Sequence, residues 1–582
     1  MAAWEEQNLY ERIKTYQNGL EARRSLWDDQ VKQVAEYTRP DLITETNEQG
    51  KFVGSKIVEG TPPWAAGVMA SGFRGNLISP SIEWFRYSEK QQELAGNDDV
   101  NEWLQNRQEH MYSVYRNSDL YANMHSFVLN GVTIGSPVIL IEEDEQTGKI
   151  CTTVPHYTEN YLIKDRFGND IGYHRKYDMY VRDFVRAFGK DNKSISQTTQ
   201  QLINSGKYWD KAEVIMAIYR ADDEIFERDA ESDTDEKPDR KWMQYYIENS
   251  KQESATEKKP LYSKGFHHKP FSAWHYMRLP NEDYSRTPAW FGMSDIKATQ
   301  AIWISIWDII QQQARPSQYV LDTIKGRARF GPGGITWVSS QELAAGPEGP
   351  SKLVNKGLRS DIGLELGKHV NEKVERLFAV QLFMMLMKWQ WEKKAPPTAT
   401  QVAGMIGEQT VLLSAGIESF AGPLLRDIDE QFTAIEEYKG ELPEPPDIVL
   451  EYAAMEKAYY GESKADKVDV NFMGSLAQAQ KIQVGLRKIY NSLGIAGPII
   501  ELYPHAVHKA RWDKMLERAF EEIGIPQDEI VPEEEFKAIV QEINQVEQLK
   551  QLIGGGREMA AAVKDLQGAT DRTSPLAALT GE

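Results

Sequence analysis

Hydrophobic positions along the chain change period several times, and those changes divide it. Over residues 4–37, Leu9, Ile13, Tyr16 and Leu20 recur at spacings of three and four, and Trp27, Val31 and Val34 continue the stripe. That is the period of a helix with one buried face, and Pro40 ends it. Thr61-Pro-Pro opens a second apolar helix that runs to about Asn76, its prolines suited to a first turn. One or two further helices are predicted over residues 98–130. The period then drops to two. Ser136 to Cys151 reads as a strand, a turn at Gly148 and a return strand. More strands are predicted near 160–177, 212–226, 241–248 and 271–278. Acidic and Ser-rich surface loops, Asp229 to Arg240 and Ser250 to Lys259, separate some of them.

The helical period returns over 293–314. Ile302, Trp303, Ile304, Ile306, Trp307, Ile309 and Ile310 leave little polar face. This helix is therefore expected to be enclosed on most sides, with Trp303 and Trp307 as packing residues. After Arg315-Pro316, the run Phe330-Gly-Pro-Gly-Gly-Ile-Thr-Trp-Val338 excludes helix and predicts a small β-rich insert. A long helix over 361–392, roughly 48 Å at the helical rise, ends at Pro396-Pro397. Thr398-Ala-Thr-Gln401 fits a capping box, Thr398 as the cap and Gln401 as its partner. It opens a helix toward Tyr438 that Gly416 and Gly422-Pro423 would kink or break. Asp447-Ile-Val-Leu-Glu-Tyr and Val468-Asp-Val-Asn-Phe read as short strands. Residues 476–566 read as mostly helical, and residues 567–582, small and polar, as disordered.

At 582 residues the chain exceeds what one core serves, about 250–300 residues, so several packing units are expected. A hydrophobic share of 41%, with 15 Trp, supplies those cores and excludes disorder of the whole. The 67 Lys and Arg stand against 87 Asp and Glu, a net charge of −20. Such a surface does not suit tight static binding to DNA, whose phosphates recruit Lys and Arg, but it suits a duplex that slides past. It also serves plain solubility. Cys151 is the only cysteine, which fits a reducing compartment. Met1-Ala-Ala-Trp-Glu-Glu lacks the features of a signal peptide. The longest apolar stretch, Phe378 to Met387, is too short for the about 20 residues a bilayer needs. Assembly in the cytoplasm, without a membrane partner, is the expectation.

Catalytic motifs are missing. Gln146-Thr-Gly-Lys149 has the Gly-Lys pair of a phosphate loop, but Ile150 replaces the Ser or Thr and Glu143 the first Gly. Gly-x-Ser-x-Gly is absent. His505 and His508 share a helical face with only Glu501 as a further ligand, so they read as surface or packing residues, as do His267 and His268. No catalytic residue, metal or cofactor is expected, and no enzyme.

A family becomes visible in short motifs. Arg23-Arg24-x-x-Trp27 with Ala35-Glu-Tyr37-x-x-Pro40 comes first, then Ala70-Ser-Gly-Phe-Arg-Gly-Asn-Leu-Ile-Ser-Pro and Trp84-Phe85. Asn117-Ser-Asp-Leu-Tyr121, Asn130-Gly-Val-Thr-Ile-Gly135 and Tyr284-Ser-Arg-Thr-Pro288 follow, the last with Ser285 in place of a Gly. Thr398-Ala-Thr-Gln-Val402, with Gln401 in place of Glu, and Phe472-Met-Gly-Ser-Leu-Ala-Gln-Ala-Gln480 complete the series. In number and order these resemble the portal, or head-to-tail connector, proteins of short-tailed bacteriophages, over most of residues 5–485.

The resemblance implies an α+β, mostly helical portal fold. Residues 1–290 would form a wing, 291–314 a first stem helix, 315–357 a clip and 358–394 a second stem helix. Residues 395–440 would hold a tunnel loop and channel-crossing helix, 441–474 return strands of the wing, and 475–566 a helical crown. It further implies a homo-oligomeric ring, a dodecamer, at one capsid vertex of the virion. Double-stranded DNA would pass through it, and terminase, tail adaptor and tail proteins, major capsid protein and scaffolding protein would be its partners. Lys388, Lys393 and Lys394 are then DNA-channel candidates, although cations at a helix C-terminus also favour the macrodipole. Lys325, Arg327 and Arg329 are candidates in the clip for docking partners, or plain solvated charges. The competing readings are a terminase motor, which lacks its phosphate loop, and another structural virion protein, a scaffold or head–tail adaptor without a channel.

Overall fold

The computed structural model describes residues 8–42, 56–81, 83–89, 97–144, 147–221, 241–249, 259–279, 282–315, 318–321, 335–338, 360–384, 416–460 and 468–472, with Leu94. The chain divides into two compact units between residues 479 and 480, and every described residue belongs to the first.

Helix α1 (Leu9–Thr38) starts at Asn8, whose side chain accepts the Glu11 N–H, and α2 (Thr61–Leu77) carries its prolines in the first turn. Strand β1 (Phe85–Ser88) precedes α3 (Asp98–Asn117) and α4 (Leu120–Thr133). The hairpin β2 (Val138–Glu143) and β3 (Ile150–Thr153) turns at Gly148, whose φ of 67° lies in the left-handed region. Strands β4 (Asn160–Lys164) and β5 (Asp170–Tyr180) follow, then two short helices, α5 (Val181–Phe188) and α6 (Gln197–Asn204). Next come β6 (Lys211–Arg220), β7 (Trp242–Glu248), β8 (Tyr262–Phe266) and β9 (Phe271–Ala273). A single turn, α7 (Pro288–Phe291), leads into α8 (Met293–Ala314). The last described elements are β10 (Gln318–Leu321), β11 (Ile335–Val338), α9 (Ser360–Leu377), α10 (Val380–Phe383), α11 (Leu425–Lys439), α12 (Asp447–Tyr460) and β12 (Asp469–Phe472).

The fold is α+β. Strands β4 to β8 form an antiparallel sheet in sequence order, and β2 lies between β3 and β9 in a second sheet. β1 pairs antiparallel with β12, and β10 pairs parallel with β11. The stripe of α1 buries Leu9 and Ile13 on Ile215, Ala217, Tyr219 and Ile247 of the five-stranded sheet. The largest core gathers helices around Met69, Phe73, Phe127, Trp274, Phe378 and Phe420, all nearly solvent-free. Small residues let those rings approach: a Cβ on Gly131 would fall 2.2 Å from the Trp274 ring.

Several sequence expectations need correction; the strand expected near 271–278, for one, ends at Ala273. Residues 447–452 are not a strand but the start of α12, where Val449 and Ala453 bury at helical spacing and a run rich in Ala, Met, Glu and Lys favours helix. The helix expected over 361–392 stops at Leu377, because Ala379 turns left-handed at φ 50° while Phe378 and Val380 go into the core. The strand expected over 212–226 ends at Arg220, where Ala221 closes the ladder on Lys241. Of the kink or break expected at Gly422-Pro423, no break occurs: residues Phe420–Leu424 widen into a π-turn that accommodates the proline, and α11 continues. The short helices α5 and α6 and strands β1 and β8 had no expectation.

Candidate assembly surface

Three of the sequence motifs, far apart in the chain, meet in one place. Arg24 is buried on α1 and donates to the main-chain carbonyls of Tyr157 and Asn160. Its guanidinium lies 4.1 Å from the Tyr157 ring centre. Burial alone would weaken that charge, but the tyrosines around it and Asp28 hold its pKa above the usual arginine range. Trp27, one turn on, packs against Tyr284 and Trp290, with Arg286 above it at 5.3 Å. Thr287 donates to the Thr133 carbonyl at 2.6 Å and the Trp290 indole to that of Ile134 at 3.0 Å. The Asn130-to-Gly135 and Tyr284-to-Pro288 motifs are thus two sides of one joint that aims α8. Ser285 fits where the family pattern has Gly: it does not take a positive φ, and its N–H donates to Ser136 Oγ at 2.8 Å.

From that joint α8 runs alongside α9. Ile306 is buried against Gly363 and Gly367, where an added Cβ would come within 3.2 Å of it. Trp303 lies on Gly367 and its indole N–H donates to Asn371 Oδ1 at 3.2 Å. Glycines on α9 let the two helices approach closely. The other side of α8 is open. Trp307 is 49% exposed and Ile304 45%, while Leu366 on α9 is 50% exposed. The sequence predicts a helix enclosed on most sides; within one chain α8 is not: Trp303 packs, and Trp307 faces outward.

The remaining site candidates, Lys325, Arg327, Arg329, Lys388, Lys393, Lys394, Thr398 and Gln401, lie outside the described residues, as do His505 and His508. Thr147, Gly148 and Lys149 lie between the two strands of the β2–β3 hairpin, and Lys149 pairs with Asp119 at 3.0 Å. His267 stacks on Tyr438, and His268 is pushed down to about 4 by burial, with His267 and Lys264 adding to the shift. Among the described residues no group of three or more His, Cys, Asp or Glu could hold a metal, and no helix is long and apolar enough to cross a membrane.

Sequence reading missed one constellation, which only the fold assembles. Ser136 Oγ lies 3.1 Å from His275 Nδ1, and His275 Nε2 lies 3.0 Å from Asp170. The residue types are those of a nucleophilic triad, but their situation is not. Ser136 is 2% exposed, and its hydroxyl already accepts the Ser285 N–H and touches Ser285 Oγ at 3.1 Å. Burial would raise the Asp170 carboxyl; His275, Lys269 and Lys164 outweigh it and hold it at about 2. The set is a buried brace between the two sheets and the joint.

Joint, open helix pair and braced sheets make a chain of several cores with an uncovered apolar face. Residues 11–531 match the family described as bacteriophage head to tail connecting protein, and the chain belongs to that family. It is 24% identical over 589 residues to the portal protein of Salmonella phage epsilon15, covering 100% of this chain and 98% of that one. To the probable portal protein of Bordetella phage BPP-1 it is 24% identical over 529 residues, 88% of this chain and 87% of that one. The family is structural rather than enzymatic, a component of the phage virion.

Proposed function

We propose that this chain forms a ring at one capsid vertex, a dodecamer, through which double-stranded DNA is packaged and later ejected. Terminase docks on it during packaging, then tail adaptor and tail proteins; capsid and scaffolding proteins surround it. The observation that carries this reading is the open face of α8. Large apolar side chains left uncovered on one chain mark a surface that another protein covers. A head-to-tail contact that closes by rotation covers such a face on every copy.

On this reading 1–290 and 441–474 form the wing, 291–314 and 358–394 the stem, 315–357 the clip and 475–566 the crown. Thr398 and Gln401 cap the channel-crossing helix within 395–440. Lys388, Lys393 and Lys394 line the channel as sparse cations on a largely acidic chain, where they centre a duplex without holding it. Lys325, Arg327 and Arg329 meet docking partners at the clip.

Negative-stain images of the purified protein test the proposal. Rotationally symmetric rings with a central hole are expected. A compact monomer at micromolar concentration, or a closed oligomer with no lumen, would refute it.

A further inference from the structure

We infer that a turn bearing Tyr208 and Trp209 is a contact between copies of this chain, and that its occupant is the acidic segment 222–240 of a neighbour. The inference deepens the ring reading and rests on it.

The turn joins α6 to β6 and is held rigidly. Gly206 takes a φ of 69°, the Lys207 N–H donates to the Leu202 carbonyl at 3.0 Å, and the Arg182 N–H donates to that of Tyr208 at 3.1 Å. The Val181 N–H adds a bond to the Asp210 carbonyl at 2.9 Å. On this fixed frame Trp209 is 72% exposed and Tyr208 46%. The Arg182 guanidinium lies 5.4 Å from the Trp209 ring and the Tyr180 ring 5.8 Å from it. A rigid Trp beside Arg and Tyr is the composition that concentrates binding energy at interfaces, and rigidity lowers the cost of ordering it.

Charge names the occupant. Residues 180–211 hold six Lys or Arg against three Asp, a local net of +3 in a chain of −20. Residues 222–240 hold ten Asp or Glu against three Lys or Arg, a net of −7, and carry Ile225-Phe226 among those acids. An apolar pair flanked by carboxylates complements an exposed Trp flanked by cations. The two cannot meet within one chain. Strand β6 runs from Lys211 to Arg220, about 30 Å at the rise of a strand. Phe226 is six residues beyond Arg220 and reaches at most about 21 Å from it. Turn and acidic segment therefore leave opposite ends of one strand, the arrangement of a head-to-tail contact that repeats around a ring.

The test uses full-length protein with Cys151→Ser, to which Tyr208→Cys and Ile225→Cys are added singly and together, then a short bismaleimide. The double variant is expected to give a ladder of linked chains on denaturing gels, and each single variant none. Rings on the grid without a ladder, as when another virion protein is the occupant, overturn the inference and spare the ring reading. So do dimers from a single variant, or a link confined to one chain. Failure to form rings refutes the ring reading by itself. A fluorescent synthetic peptide of residues 222–240 then decides the contact on the monomer: binding that Trp209→Ala weakens at least tenfold supports it, and no binding overturns it.

Discussion

Ser285 donates its backbone N–H to the hydroxyl of Ser136 at 2.8 Å, across 149 residues of chain. Ser136 itself sits at φ 45° and Gly135 at φ 103°, so the chain leaves α4 through two left-handed residues that this bond locks. The same joint carries Thr287 and Trp290, and so fixes the direction in which α8 departs.

Gly135 is the position least tolerant of change there. A Cβ would stand 2.6 Å from the Ser285 carbonyl oxygen, on a backbone conformation that side chains disfavour. Gly135→Ala is expected to cost more than about 2 kcal/mol, from strain and the clash together. Urea unfolding followed by fluorescence reads it, and a loss below about 0.5 kcal/mol would show that the joint relaxes freely.

His174 makes the protein acid-sensitive. It is buried in the five-stranded sheet, donates Nδ1–H to Gln17 Oε1 at 2.8 Å, and burial pushes its pKa down to about 3. The unfolded chain takes up that proton near pH 6.5, while the native chain refuses it until about pH 3. Stability is therefore whole above pH 6.5 and falls below it by about 1.4 kcal/mol per pH unit from this group. His174→Phe, between Tyr16 and Tyr219, should lose about 1 kcal/mol at pH 7 for the missing hydrogen bond. Between pH 6.5 and 5 it should then lose about 2 kcal/mol less than the parent. Equal pH slopes in the two proteins would discard the assignment.

Much of this architecture is legible in local pattern. The stripe of α1, its end at Pro40 and the hairpin at Gly148 follow from periodicity and turn chemistry alone. The motifs 23–27, 130–135 and 284–288 are legible as signatures, yet not as contacts, because Arg24 meets Asn160 across 136 residues. The Ser136, His275 and Asp170 brace is invisible for the same reason. Local pattern misleads where burial and propensity disagree. The apolar run Ile448-Val449-Leu450 reads like a short strand, and with the Ala-rich residues after it the segment forms the helix α12. At Ala379 core packing imposes a turn on a helical sequence.

The two faces of α8 should respond differently. Ile306→Ala removes a buried side chain from between the helices and is expected to cost about 2–4 kcal/mol in chain stability. Trp307→Ser changes an exposed position and should shift the stability of the isolated chain by no more than about 0.5 kcal/mol. Its effect belongs in association: mass by light scattering should fall from ring to smaller species. Intact rings from the Trp307 variant would remove that residue from the assembly surface.

The paired substitution Lys393→Glu with Lys394→Glu separates two roles for the same charges. If these lysines are only solvated charges, reversal shifts chain stability by no more than about 0.5 kcal/mol, and DNA handling is unchanged. If they face the channel, reversal turns each copy's cations into repulsion against phosphate at the same ring height. Packaging then slows or packaged DNA is lost early, with a smaller salt dependence, while rings assemble normally. Nuclease-protected DNA per particle, beside ring images of the same variant, reads both. Full protection from intact rings would take the lysines out of the channel.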